Sequence, residues 1–115
     1  MGFLDKAVNK TKSVAQQADS RLGQDIDVGK VQSKINDEKK TIRENSVKIG
    51  EEYTAYRKDN DSAHMDTMNK LADECIEAQK KIEEYEKEIE DIKAKGHEER
   101  EGIRAEEAAK NAKDE

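Results

Sequence analysis

The sequence predicts an all-α fold: an antiparallel helical hairpin of coiled-coil type, with an N-terminal amphipathic helix and a charged C-terminal tail that is helical or frayed. Three observations carry that prediction. The 115 residues include no Pro and 43% charged side chains but only 3% aromatic ones, so nothing in the chain must break a helix. Apolar residues in the second half recur at alternating steps of three and four, the signature of a coiled-coil seam. A short cluster of cap and turn residues sits near the middle, and a short connection makes neighbouring helices antiparallel.

The first element is an amphipathic leader over residues 1–22. Phe3, Leu4, Ala7, Val8, Val14, Ala15, Ala18 and Leu22 fall within one arc about 140° wide on a helical wheel. Asn9, Ser13, Gln16 and Ser20 take the opposite face. Leu4 to Ala15 and Ala7 to Ala18 are steps of eleven, which keep an apolar stripe straight rather than left-handed. The segment is basic, with Lys6, Lys10, Lys12 and Arg21 against Asp5 and Asp19, while the other 93 residues carry 18 bases and 26 acids. A basic helix with an apolar face can lie on an anionic membrane; packing on protein and an essentially frayed terminus are the competing expectations. Gly23 and Gly29 bracket a stretch, 23–29, that reads as a hinge, with Asp25 or Asp27 available as a cap.

Helix one is expected over 28–58. Val28, Ile35, Ile42, Ile49 and Tyr56 are seven apart, and Tyr53 widens the stripe. The companion positions Val31, Glu38, Asn45 and Glu52 are mostly polar, which weakens a seam while fixing its register. Lys58, Asp59, Asn60, Asp61 and Ser62 mark a turn over 59–62, with Asp61 or Ser62 as the next N-cap. Helix two is expected over 63–95. Met68, Leu71, Cys75, Ala78, Ile82, Tyr85, Ile89 and Ile92 form its seam. Glu77 and Lys81, Glu83 and Lys87, and Asp91 and Lys95 place an acid four residues before a base, a supporting arrangement on a helix surface. With position sums near 120, Ile49 meets Leu71, Ile42 meets Ala78, Ile35 meets Tyr85 and Val28 approaches Ile92. Residues 97–115 hold one large apolar residue, Ile103, among charges, and read as a frayed tail or an isolated helical one.

Several function classes drop out. A formal charge of −6 disfavours nucleic acid, whose affinity comes from neutralised phosphates. One Cys excludes a disulfide framework within the chain. No stretch approaches a membrane span, and no apolar signal core is present, so the expected location is cytoplasmic, with the inner face of the membrane as the alternative site. Cys75 at a seam position reads as a small apolar side chain. His64 and His97, 33 residues apart, read as surface histidines without metal-ligand spacing. The Glu pairs read as solvated helix faces. No phosphate loop, nucleophile elbow or Cys-x-x-Cys motif occurs. The expectation is a non-enzyme without metal, cofactor or small-molecule substrate.

Met1-Gly2-Phe3-Leu4-Asp5-Lys6, an Ala/Lys/Ser-rich stretch, Lys48-Ile49-Gly50-Glu51-Glu52-Tyr53, Tyr56 and the Lys58-Asp59 turn together resemble small bacterial and archaeal coiled-coil proteins that end in a zinc ribbon. The resemblance spans about residues 1–96 and implies a helical hairpin with an amphipathic leader. Where those proteins place paired cysteines, this chain reads Gly96-His97-Glu98-Glu99-Arg100, so zinc binding does not carry over. In design alone the chain is also similar to phage-shock and vesicle-inducing membrane hairpins, at about half their length. The functional expectation is a coiled-coil scaffold that self-associates through its seam, most simply as a dimer. The alternative is a peripheral membrane protein that uses Lys6, Lys10, Lys12 and the leader's apolar face. An acidic adaptor for a basic protein, gripping with residues 97–115, is the outsider.

Overall fold

In the computed structural model the backbone of Gly2–Asp114 and the side chains of residues 5–112 are described. Two long helices pack against each other: α1 spans Gly2–Asp59 and α2 spans Ala63–Asp114, with no strand among the described residues. The fold is an all-α helical hairpin. The turn follows from its residues. Asn60 takes the left-handed conformation (φ 56°), which Asn tolerates better than most side chains. Its N–H donates to the carbonyl of Tyr56 at 2.7 Å, closing the end of α1. Asp59 Oδ1 then accepts from the N–H of Asp61 at 2.9 Å, and Asp61 Oδ1 accepts from that of Ala63 at 3.0 Å. Asp61 is therefore the N-cap of α2.

The chain divides into two compact units. One comprises Val31–Glu88 and the other Met1–Lys30 with Ile89–Glu115. In the first, residues withdrawn from solvent follow the heptad on both arms: Val31, Ile35, Glu38, Ile42, Asn45, Ile49, Glu52 and Tyr56 on α1, and Met68, Leu71, Cys75, Ala78, Ile82 and Tyr85 on α2. Cross-arm contacts join Asn45 to Leu71 and Glu74, Cys75 to Ile42, Lys81 to Glu38 and Lys34 to Tyr85. Their position sums run from 116 to 119. Among the described residues only Val31, Ile35 and Ala78 are buried apolar ones, and no side chain is less than 2% exposed. Tyr53 stands 53% exposed at the edge of this seam rather than inside it.

The other unit has a different period. Its inward residues on α1 are Lys6, Asn9, Ser13, Gln17, Ser20, Gln24 and Val28, and on α2 Ile89, Ile92, Gly96, Arg100, Ile103, Glu107 and Asn111. Both series step by three, four and four, an 11-residue repeat that leaves the facing stripe nearly straight along the helix.

Three expectations about boundaries need correction. The hinge at 23–29 is absent as a break, because α1 runs unbroken through both glycines. A helical Gly costs about 1 kcal/mol relative to Ala, and without Pro that does not end a helix packed on both sides of the site. The leader 1–22 and helix one 28–58 are accordingly parts of one helix. The tail is helical, one of the two forms expected, but it does not stand isolated: α2 continues to Asp114, and Arg100, Ile103 and Asn111 turn towards α1. Apart from Ile103, what holds it is polar, which an apolar periodicity does not register.

Candidate functional site

No enclosed cavity with convergent chemical groups is present among the described residues, and no group of three His, Cys, Asp or Glu side chains is placed to hold a metal ion. The features that stand out among the described residues are surfaces. No helix is long and apolar enough to cross a membrane among the residues described.

In the unit Val31–Glu88 the polar links across the seam gather along one edge. Asn45, 5% exposed, donates through Nδ2 to Glu74 Oε2 at 2.9 Å and to the carbonyl of Leu71 at 3.3 Å. Lys81 lies 4.0 Å from Glu38, and the Lys34 ammonium stands 5.8 Å from the centroid of the Tyr85 ring, a cation–π contact. With about 100° per residue, the other edge carries Tyr53 on α1 and Met65, Met68, Ala72 and Ile76 on α2. Among the described residues the polar contact that crosses the seam on that side is a weak one, from Cys75 Sγ to the carbonyl of Ile42 at 3.9 Å. Cys75 is a half-buried free thiol. The sidedness is visible only once both arms are in place.

At the turn, His64 is gripped by two carboxylates. Nδ1 lies 2.6 Å from Glu52 Oε2, and Nε2 lies 2.8 Å from Asp59 Oδ2. Only the imidazolium can donate at both nitrogens. The bond to Asp59 first, and that to Glu52 second, hold its pKa above the ordinary histidine value, against an opposing desolvation. The Asp59 carboxyl is held low in turn, chiefly by the bond from His64 and then by the N–H of Asp61. Spacing along one helix does not reveal this clasp, since Glu52 and His64 lie on opposite sides of the turn. His97 is exposed.

The other unit inverts the usual arrangement of an amphipathic helix. The polar residues of its α1 arm face α2. Asn9 donates to Asn111 at 3.1 Å, Arg104 to Gln17 Oε1 at 3.1 Å and Arg100 to Gln24 Oε1 at 2.9 Å. Gly96 makes room for this seam: a Cβ there would collide with Gln24 Oε1 and stand 3.1 Å from Arg100 Nη1. Ser20 Oγ is buried, with no hydrogen-bond partner. The apolar stripe consequently faces outward. Val8, Val14 and Leu22 are 52%, 58% and 61% exposed, and Ala7, Ala15 and Ala18 are exposed with them. Ile26, outside the expected leader, extends the stripe at 51%. Lys10 and Lys12 are exposed, and Lys6 is half-buried. Phe3 and Leu4 lie outside the residues whose side chains are described. No family model, curated protein or solved structure matches the chain.

Proposed function

We propose that the protein is a non-catalytic coiled-coil scaffold that self-associates through its helical hairpin. The thinness of the core supports this reading. Val31, Ile35 and Ala78 are the only buried apolar residues among those described, whereas Ile42, Ile49, Met68, Leu71, Ile82 and Tyr85 keep part of their surface in water. An apolar stripe that one neighbour covers only partly gains further from a second neighbour, at about 25 cal/mol for each Å² removed from water. The test is molar mass by sedimentation equilibrium at micromolar concentration, with helicity followed on dilution. The expected mass is at least twice the 13.1 kDa of one chain, with helix content falling as the assembly dissociates. A single-chain mass with undiminished helicity overturns the reading.

A second reading, peripheral docking on an anionic membrane, is favoured by the outward stripe of Val8, Val14, Leu22 and Ile26. An apolar helix face that leaves its polar residues to bond the neighbouring arm is free to enter the headgroup region, and Lys10 and Lys12 supply attraction to acidic lipid. Flotation with vesicles of phosphatidylcholine and phosphatidylserine tests it. Binding is expected to need the acidic lipid, to weaken with salt and to vanish on Val14→Ser with Leu22→Ser. No flotation at any lipid composition removes this reading.

A further inference from the structure

From the unit Val31–Glu88 we infer which surface a second copy of this chain occupies: the apolar edge of the near-turn seam, covered symmetrically with the two turns at the same end. This rests on the self-association reading and specifies its interface. The two edges of the seam differ in kind. One is already laced by Asn45–Glu74, Glu38–Lys81 and Lys34–Tyr85, so a docking partner would have to displace those contacts. The other carries Tyr53, Met65 and Ile76 at 53%, 43% and 51% exposed, with Met68 and Ala72 half-buried between them. It offers apolar surface and no cross-arm ion pair.

Charge decides the occupant and its direction. Along the same edge α1 presents Lys39, Arg43 and Arg57, all exposed, and the other arm presents the N-cap Asp61 and, on α2, Glu83 and Glu86, also exposed. One flank is wholly basic and the other wholly acidic. A two-fold axis along the hairpin lays α1 of one copy over α2 of the other. It sets Arg57 towards Asp61 and Lys39 towards Glu83 of the second copy, at both ends of the apolar patch. An isologous contact needs such a self-complementary surface. The reversed arrangement, α1 over α1, would oppose like charges, which interfaces avoid. In the favoured arrangement Tyr53 meets Met65 of the second copy, and Ser46 meets Ala72.

The experiment measures molar mass against concentration for the full chain and five variants, with helicity checked for each. Ile76→Lys and Tyr53→Lys, at exposed positions, are expected to keep the helix signal and to weaken association at least a hundredfold. Val47→Lys, 62% exposed on the outer side of α1, is expected to associate like the parent. Lys39→Glu with Arg43→Glu is expected to weaken the dimer about tenfold, and adding Glu83→Lys with Glu86→Lys to restore it. A parent that is monomeric overturns the self-association reading itself. A dimeric parent whose Ile76→Lys and Tyr53→Lys variants remain dimeric overturns only the choice of face. Tighter association of Lys39→Glu with Arg43→Glu overturns the direction.

Discussion

The same two helices are held together differently in the two units. In Val31–Glu88 a heptad turns Val31, Ile35 and Ala78 inward, and hydrophobic burial supplies the cohesion. In Met1–Lys30 with Ile89–Glu115 an 11-residue repeat turns Asn9, Ser13, Gln17, Ser20 and Gln24 inward, and side-chain hydrogen bonds to Arg100, Arg104 and Asn111 act beside the half-buried Val28, Ile89, Ile92 and Ile103. Such bonds contribute only about 0.5–1.5 kcal/mol each, because water makes the same bonds in the unfolded chain. The second unit thus buries its apolar residues less completely and leaves an apolar face exposed. Where a helix places its polar residues inside, the stripe outside is the feature to explain.

The largest test of that contrast compares equivalent truncations. Ile35→Ala, at 2% exposure, is expected to cost about 2–4 kcal/mol through lost burial and an unfilled cavity. Val14→Ala, at 58% exposure, should lie within about 0.5 kcal/mol of the parent. Urea titrations followed by circular dichroism measure both, and equal losses would abolish the distinction between the units.

Polar groups inside the heptad unit provide a smaller effect. Asn45→Ala removes the donor to Glu74 and Leu71 from a site that is 5% exposed, and should cost about 1–2 kcal/mol. Asn45→Leu should recover that stability while loosening register, since a buried Asn specifies alignment more than it stabilises. Hydrogen exchange across the seam separates the two substitutions, and an Asn45→Ala variant as stable as the parent would show that the bond is immaterial.

Glycines sharpen the comparison further. Gly29 and Gly96 are both helical, but a Cβ at Gly29 meets nothing within 4 Å, whereas at Gly96 it collides with the Gln24 amide that Arg100 holds. Gly29→Ala should therefore stabilise by about 0.5–1 kcal/mol. Gly96→Ala should gain little or nothing, because the propensity gain is offset by a displaced hydrogen bond. Thermal melts of the two variants decide whether the polar seam is tightly packed.

The smallest effect concerns pH and the turn. Because the folded state raises the pKa of His64, its contribution is complete below the unfolded histidine value, about 6.5. That contribution fades as pH rises through the folded value. Asp59 acts with the opposite sign: its lowered pKa gives stability above about pH 4 that is lost as the carboxyl protonates. The clasp is therefore strongest in mildly acidic solution. His64→Gln should flatten the alkaline limb of the stability–pH profile, and a profile identical to the parent's would dismiss the clasp as an energetic element.

Much of the fold was legible in residue spacing. Absence of Pro, the unbroken three–four steps from Met68 to Ile92, and Asp59, Asn60 and Asp61 as turn formers already specify two helices that double back near residue 60, because helical period and capping are local chemistry. The leader's apolar arc was also plain, as was its 11-residue step. Its direction was not. A helical wheel states which residues share a face, not whether that face meets protein, water or lipid. The tertiary structure decided that the polar side of the leader bonds residues 96–111, that the glycines at 23 and 29 lie within a continuous helix, and that His64 reaches Glu52 across the turn. Each of these depends on groups far apart in the chain, and polar complementarity between them leaves no periodic trace in either segment alone.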